Sequence, residues 1–149
     1  MGYTHYFRFN KSNEKLYKKA IEEIQMLVYD YAQKHGGISG YTAHTKPGKY
    51  AGVKFNGSRD NGHEDFFLRE TFKLNESFNF CKTARKPYDV LVVASLCILN
   101  DVLQDRITIS SDGDYPDWAA GAELASLFLG RKLLVPSNIN RTSKLKLIS

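Results

Sequence analysis

The densest potential chemistry in the chain lies between Phe80 and Asp89. Lys82, Arg85 and Lys86 supply three cations and Thr83 a hydroxyl, and Pro87 suits the first turn of a following helix. A helix start adds unpaired N–H groups and the positive end of its dipole, so Lys82, Thr83, Arg85 and Lys86 are candidate ligand-binding residues for an anion such as a phosphate. Three cations placed there are unfavourable unless something negative arrives. The plain alternative is a solvated basic loop that offsets acidic charge elsewhere. Cys81 is a candidate nucleophile, because neighbouring cations and the helix terminus would lower its pKa. It also ends a Phe78/Phe80 alternation and would serve equally as a core-edge residue.

A second stretch, Ser110 to Trp118, runs from a strand end into a helix start. Asp112 and Asp114 could chelate a hard divalent cation, or receive the hydroxyls and amines of a ligand. The full twelve-residue calcium-loop pattern is not present. An Asp-Gly turn leading into an acid-capped helix explains the same residues without a ligand. A third stretch, Asn56 to Asp65, places His63 beside Glu64 and Asp65 and offers a general base or a metal ligand. A polar hairpin loop accounts for it as well, and in a strand only His63 and Asp65 would share a side. His5, among aromatic neighbours, reads as a core histidine that could line a pocket with Tyr3 or Tyr6. No phosphate-cradling glycine loop, Cys-x-x-Cys, His-Glu-x-x-His or Gly-x-Ser-x-Gly pattern occurs, which argues against many large enzyme families.

These residues need elements to position them. Tyr3, His5, Phe7 and Phe9 alternate with polar neighbours and predict a strand. Ser12 can cap a helix in which Leu16, Ala20, Ile24, Leu27, Val28 and Tyr31 recur at helical spacing until Gly36 and Gly37. Tyr41 to His44, Gly52 to Phe55 and Asp65 to Phe72 read as strands separated by turn residues. Pro87 to about Gln104 is too long for an ordinary strand and is assigned as a helix despite its β-branched residues. Arg106 to Ser110 is a short strand, and Pro116 opens a last helix that Gly130 closes. The predicted order is β-α-β-β-β-α-β-α. It implies a single α+β domain with an antiparallel sheet, a ferredoxin-like split βαβ core, one extra strand and a C-terminal helix.

At 149 residues, with 42% apolar, 25% charged and 13% aromatic residues, the chain suits one packed domain. Residues 1–135 form that domain in this reading, and residues 136–149 a basic, flexible tail in which Leu145, Leu147 and Ile148 could dock as an added strand. The net charge of +5 is unevenly laid out. Residues 1–86 carry +6, residues 87–130 carry −6, and the remaining +5 lies beyond them, which argues against a uniformly basic nucleic-acid binder. The start lacks the regions of a secretory leader, and the longest strongly apolar run, Val90 to Leu99, is too short for the roughly twenty residues of a membrane span. Cys97 inside that run reads as a buried thiol, so a cytoplasmic location is expected.

Four segments together carry a family resemblance. Gly2 to Tyr6, the Phe55-Asn56-Gly57 turn with the later Glu64-Asp65-Phe66, the central Phe80 to Asp89 stretch, and Ser110 to Asp114 with Trp118 resemble a family of small proteins predicted in bacteria and their phages. The resemblance spans residues 2 to about 130. It implies an intracellular accessory protein and supplies neither a reaction type nor a catalytic residue.

Three functions are therefore open. The first is a module holding a phosphorylated, nucleotide-like ligand between the basic and acidic loops. The second is a hydrolase using a metal with His63, Glu64, Asp112 or Asp114, or Cys81 as nucleophile. The third is an interaction protein that self-associates through its opposed charges, or touches nucleic acid with its basic tail.

Overall fold

β1 (Thr4–Phe9) is the organising strand. This computed structural model describes residues 2–72 and 78–141. β5 (Phe78–Lys82) and β6 (Ile107–Ser111) pair antiparallel with β1 on its two sides, giving the order β5-β1-β6. The two-residue period of β1 sends Tyr3, His5, Phe7 and Phe9 inward, where all are buried, and Tyr6 and Arg8 outward. Register sets Cys81 and Ser111 on either side of His5, so one inward row is Cys81–His5–Ser111.

A second antiparallel sheet has the order β2-β3-β4, from Ile38–Ser39, Val53–Gly57 and Phe66–Leu68. Its inward side chains Ile38, Val53, Phe55, Phe66 and Leu68 are buried, and Phe66 packs against Phe7 with ring centroids 5.8 Å apart. The α+β class and the antiparallel pairing follow the sequence reading. The strands, however, divide between two three-stranded sheets. β1 has antiparallel neighbours on both sides, so the parallel pairing of a split βαβ unit is not formed among the described residues.

Four α-helices complete the body among the described residues. α1 (Glu14–His35) buries Tyr17, Ala20, Ile21, Ile24, Leu27 and Val28, the stripe expected from its spacing. Its N-cap is Asn13, whose side chain accepts from Leu16 N–H, and not Ser12 one residue earlier. Tyr41–His44 is one helical turn, α2, where a strand was expected. Gly40, with φ at 99°, breaks the extended chain after β2, and Thr42 Oγ1 then accepts from Lys54 N–H at 2.8 Å. Four residues are too few for local propensity to resist such tertiary contacts.

α3 (Asp89–Leu103) is buried from Leu91 through Leu99 without a break, so it is the central helix of the core. α4 (Tyr115–Leu129) lies on it closely: a Cβ built at Gly121 would stand 2.4 Å from Val93 Cγ1. None of the helices among the described residues is long and apolar enough to cross a membrane. Beyond α4, Arg131 donates to both carboxylate oxygens of Glu23 (2.9 and 2.7 Å) and to Asp101 at 3.0 Å. Of the segment 136–149 read as a tail, residues 136–141 rest on the body: Ile139 is buried and Tyr115 N–H donates to Asn140 O at 2.7 Å. Packing therefore extends past residue 135, while Leu145, Leu147 and Ile148 lie outside the described residues.

Candidate functional site

The start of β1 is where the two loops singled out in the sequence meet. Because β5 and β6 flank β1, the β5–α3 connection and the β6–α4 connection leave the sheet side by side, next to Tyr3 and His5. Thr83 and Ala84 N–H both donate to Tyr3 O, at 3.1 and 3.2 Å, and Asp112 N–H donates to Thr4 O at 3.0 Å. Arg85 crosses between the loops. Its guanidinium lies 4.0 Å from the centroid of the Tyr3 ring and donates to Asp117 at 3.1 Å.

At the bottom of this junction is a buried polar chain. His5 is fully buried, with Nε2 2.7 Å from Asp89 Oδ1 and Nδ1 2.7 Å from Ser111 Oγ. A carboxylate only accepts, so Nε2 carries a proton, and the Ser111 hydroxyl can donate to Nδ1 while accepting from Gly113 N–H at 2.9 Å. Thr83 Oγ1, also fully buried, donates to the same Asp89 oxygen. Thus Thr83, Asp89, His5 and Ser111 form one hydrogen-bonded line from the β5–α3 turn through the start of α3 and β1 to β6. Tyr3 and Trp118 pack edge-on against His5, with centroids 5.1 and 5.2 Å away. Both are buried, and neither Tyr3 Oη nor Trp118 Nε1 has a hydrogen-bond partner among the described residues. Burial is the main reason the Tyr3 phenol ionises well above its usual range, with Asp89 and Asp117 pushing the same way.

The two loops treat their charges differently. On the acidic side, Asp112 Oδ2 accepts from Thr4 N–H at 3.0 Å, and Asp114 forms a capping box with Asp117 at the start of α4. Burial alone would raise the Asp117 pKa; the Asp114 N–H and the Arg85 guanidinium outweigh it and hold the carboxyl below its usual value. On the basic side, residues 83–86 form a tight turn closed by Lys86 N–H to Thr83 O at 3.0 Å, with Ala84 and Arg85 both at positive φ (53° and 57°). Two successive left-handed non-glycine residues are costly, at roughly 1–2 kcal/mol each. Lys82 and Lys86 have no carboxylate within ion-pair distance among the described residues.

The start of α3 differs from the expected anion site in one respect. Asp89 occupies the first turn of α3 and is turned to His5, so the dipole already has its negative partner. Arg85 and Lys86 stand one turn earlier, on the loop, and Lys82 ends β5. Cys81 also differs from expectation. The alternation that points Lys82 outward points Cys81 inward, where it is buried and its thiol contacts Glu64 O at 3.6 Å. Burial, aided by Glu64, Asp89 and Asp65, pushes that thiol up to about 12, the opposite of what a thiolate nucleophile requires. Cys81 and Cys97 are both free and buried.

Of the third stretch, Glu64 reaches the site's margin: its N–H donates to Lys82 O at 3.1 Å, its carboxylate accepts from Lys82 N–H at 2.7 Å, and its carbonyl accepts from Tyr88 Oη. His63 is exposed, and its backbone bonds to Asn56. No group of three or more metal-ligating side chains is assembled among the described residues, so Asp112 and Asp114 lack further ligands. The sequence reading passed over Ser111, Asp89 and Asp117 as a working group. The available signal was the inward parity of His5, which requires polar partners from whichever strands lie beside it. No protein-family model, curated protein or solved structure matches the chain.

Proposed function

We propose that the protein is a small accessory protein that binds a phosphorylated, nucleotide-like ligand where the two loops meet. The observation that carries this reading is an excess of unengaged donors. Among the described residues, Lys82 and Lys86 lack carboxylate partners and the buried Tyr3 Oη and Trp118 Nε1 lack acceptors, while the neighbouring carboxylates already accept from backbone or from Arg85. Each unsatisfied buried donor costs roughly 1–3 kcal/mol, and phosphate oxygens are acceptors of the required kind. Arg85, held by an ion pair that is largely exposed, can exchange Asp117 for such an oxygen at small cost.

The test is titration of inorganic phosphate and nucleoside monophosphates, followed by Trp118 emission and by calorimetry. Saturable quenching is expected. Lys82→Ala and Lys86→Ala should each weaken binding about tenfold, as loss of a charge-assisted contact does, and Asp114→Ala should leave it unchanged. Absence of any change in emission or melting temperature overturns the proposal.

A second reading is favoured by the Ser111–His5–Asp89 line itself, which has the acceptor order of a serine hydrolase relay. In it, Ser111 Oγ attacks the ester of the bound ligand, His5 Nδ1 takes the hydroxyl proton and returns it to the leaving oxygen, and water then releases the acyl or phosphoryl group. Gly113 N–H would stabilise the alkoxide. Turnover of a phosphate or carboxylate ester abolished by Ser111→Ala, with binding retained, would establish it. Retention of turnover in that variant would remove it.

A further inference from the structure

The outer face of the β5-β1-β6 sheet carries a row of rings that the core does not use. Phe78 and Phe80 are 57% and 58% exposed, and Tyr6 is half-buried between them and β6. Tyr6 stands opposite Phe80 on one side and Ser110 on the other, and Arg8 stands opposite Phe78 and Thr108. Tyr6 and Phe78 are stacked within 25° at 6.3 Å, Phe80 is 6.3 Å from Phe78, and the Arg8 guanidinium lies 5.9 Å over the Phe78 ring. Lys82 ends the β5 side of this face, and the carboxylate bordering it, Asp112, accepts from Thr4 N–H. Exposed rings of this size normally mark a contact surface.

We infer that this face binds single-stranded nucleic acid, with its bases stacked on Tyr6, Phe78 and Phe80 and its phosphates met by Arg8 and Lys82. Charge complementarity selects this occupant: the rings are bordered by cations and by the Thr108 and Ser110 hydroxyls, the groups that follow a phosphate backbone. Spacing selects the single strand. Rings 6.3 Å apart are about twice the 3.4 Å base step of a duplex strand, so bases must be splayed apart to reach them. This inference shares Lys82 with the ligand proposed for the loop junction, but Tyr6, Phe78, Phe80 and Arg8 lie on the outer face and take no part in that site, so their variants test it separately.

Fluorescence anisotropy with labelled oligothymidine and oligouridine of about twelve nucleotides tests it, using the full chain at low and physiological salt. Micromolar binding to the single strands, with a matching duplex bound far more weakly, is expected. Phe80→Ala and Phe78→Ala should each reduce affinity by about fivefold or more, as loss of a stacking ring does. Arg8→Ala should lower the salt slope by about one. Phe67→Ala, at a similarly exposed ring on the other sheet, is the control and should have no effect. Unchanged melting temperature shows that the variants fold. Equal binding to duplex, or indifference to Phe78 and Phe80, reduces the face to a basic surface and overturns the inference. So does a concentration-dependent dimer in sedimentation that Phe80→Ala dissociates, because the rings would then cover one another in a second copy.

Discussion

The entrances to α3 and α4 lie side by side beside Tyr3, yet they are built on opposite principles. At α4, Asp114 caps, Pro116 sits in the first turn and Asp117 returns a hydrogen bond to Asp114 N–H at 3.0 Å, so every acid has a local task. At α3, Tyr88 gives no side-chain cap, two non-glycine residues hold positive φ, and Lys82 and Lys86 face no carboxylate among the described residues. Charge density alone makes the two entrances look equivalent. Local hydrogen bonding separates them, because it accounts for the acidic residues and for Arg85 and leaves Lys82 and Lys86 without a carboxylate partner among the described residues. Strain with no local compensation is where function is to be sought.

The largest expected effect comes from the buried line beneath both entrances. Asp89→Ala should destabilise the protein by about 3 kcal/mol, because it leaves the fully buried His5 and Thr83 without their acceptor. Urea unfolding should show a lowered midpoint at unchanged slope. Asp89→Asn keeps the shape and an acceptor and should recover part of the loss. A loss no greater than that of an ordinary surface substitution would mean the line does not join the two entrances.

The contrast predicts a smaller, opposite pair of effects next. Asp114→Ala should cost about 1 kcal/mol, the usual value of an N-cap, without altering ligand titrations. Ala84→Gly should instead stabilise by about 0.5–1 kcal/mol, since glycine holds positive φ without a Cβ penalty and loses part of that gain in unfolded-chain entropy. If Ala84→Gly also weakens ligand binding, the strain serves to present Lys82 and Lys86. A destabilised Ala84→Gly would show that the turn is not strained and would erase the distinction between the entrances.

Much of the framework was legible. The alternation of β1, the stripe of α1 and the proline and glycine bounds of α3 and α4 are local patterns, and the structure follows them to within a residue or two. Both loops of the site were also visible as charge-rich stretches. What sequence does not encode locally is which strands flank β1. His5 meets Asp89 across 84 residues and Ser111 across 106, and only the register of β5 and β6 brings them together. The same order decides that Cys81 points into the core while Lys82 points out, which reversed the chemistry expected of that thiol. α2 was missed for a different reason: its single turn is held by contacts to α1 and Lys54, not by its own sequence.

The smallest effect sharpens the comparison through pH. Asp117 caps α4 and also receives Arg85 from the α3 side. Its pKa in the folded protein lies below the ordinary 3.8, so its partners favour the charged form. A depressed pKa contributes stability that is present above the unfolded value and is lost as pH falls through 3.8 toward the folded value. Acid unfolding followed by circular dichroism should therefore show an additional loss below about pH 4, and Asp117→Asn should flatten that limb. Arg85→Ala should flatten it only in part, because the Asp114 N–H remains as a partner and the exposed guanidinium is screened. If Arg85→Ala removes the whole effect, the acid is held from the α3 side, and the α4 entrance is no longer self-sufficient in the way its cap suggests.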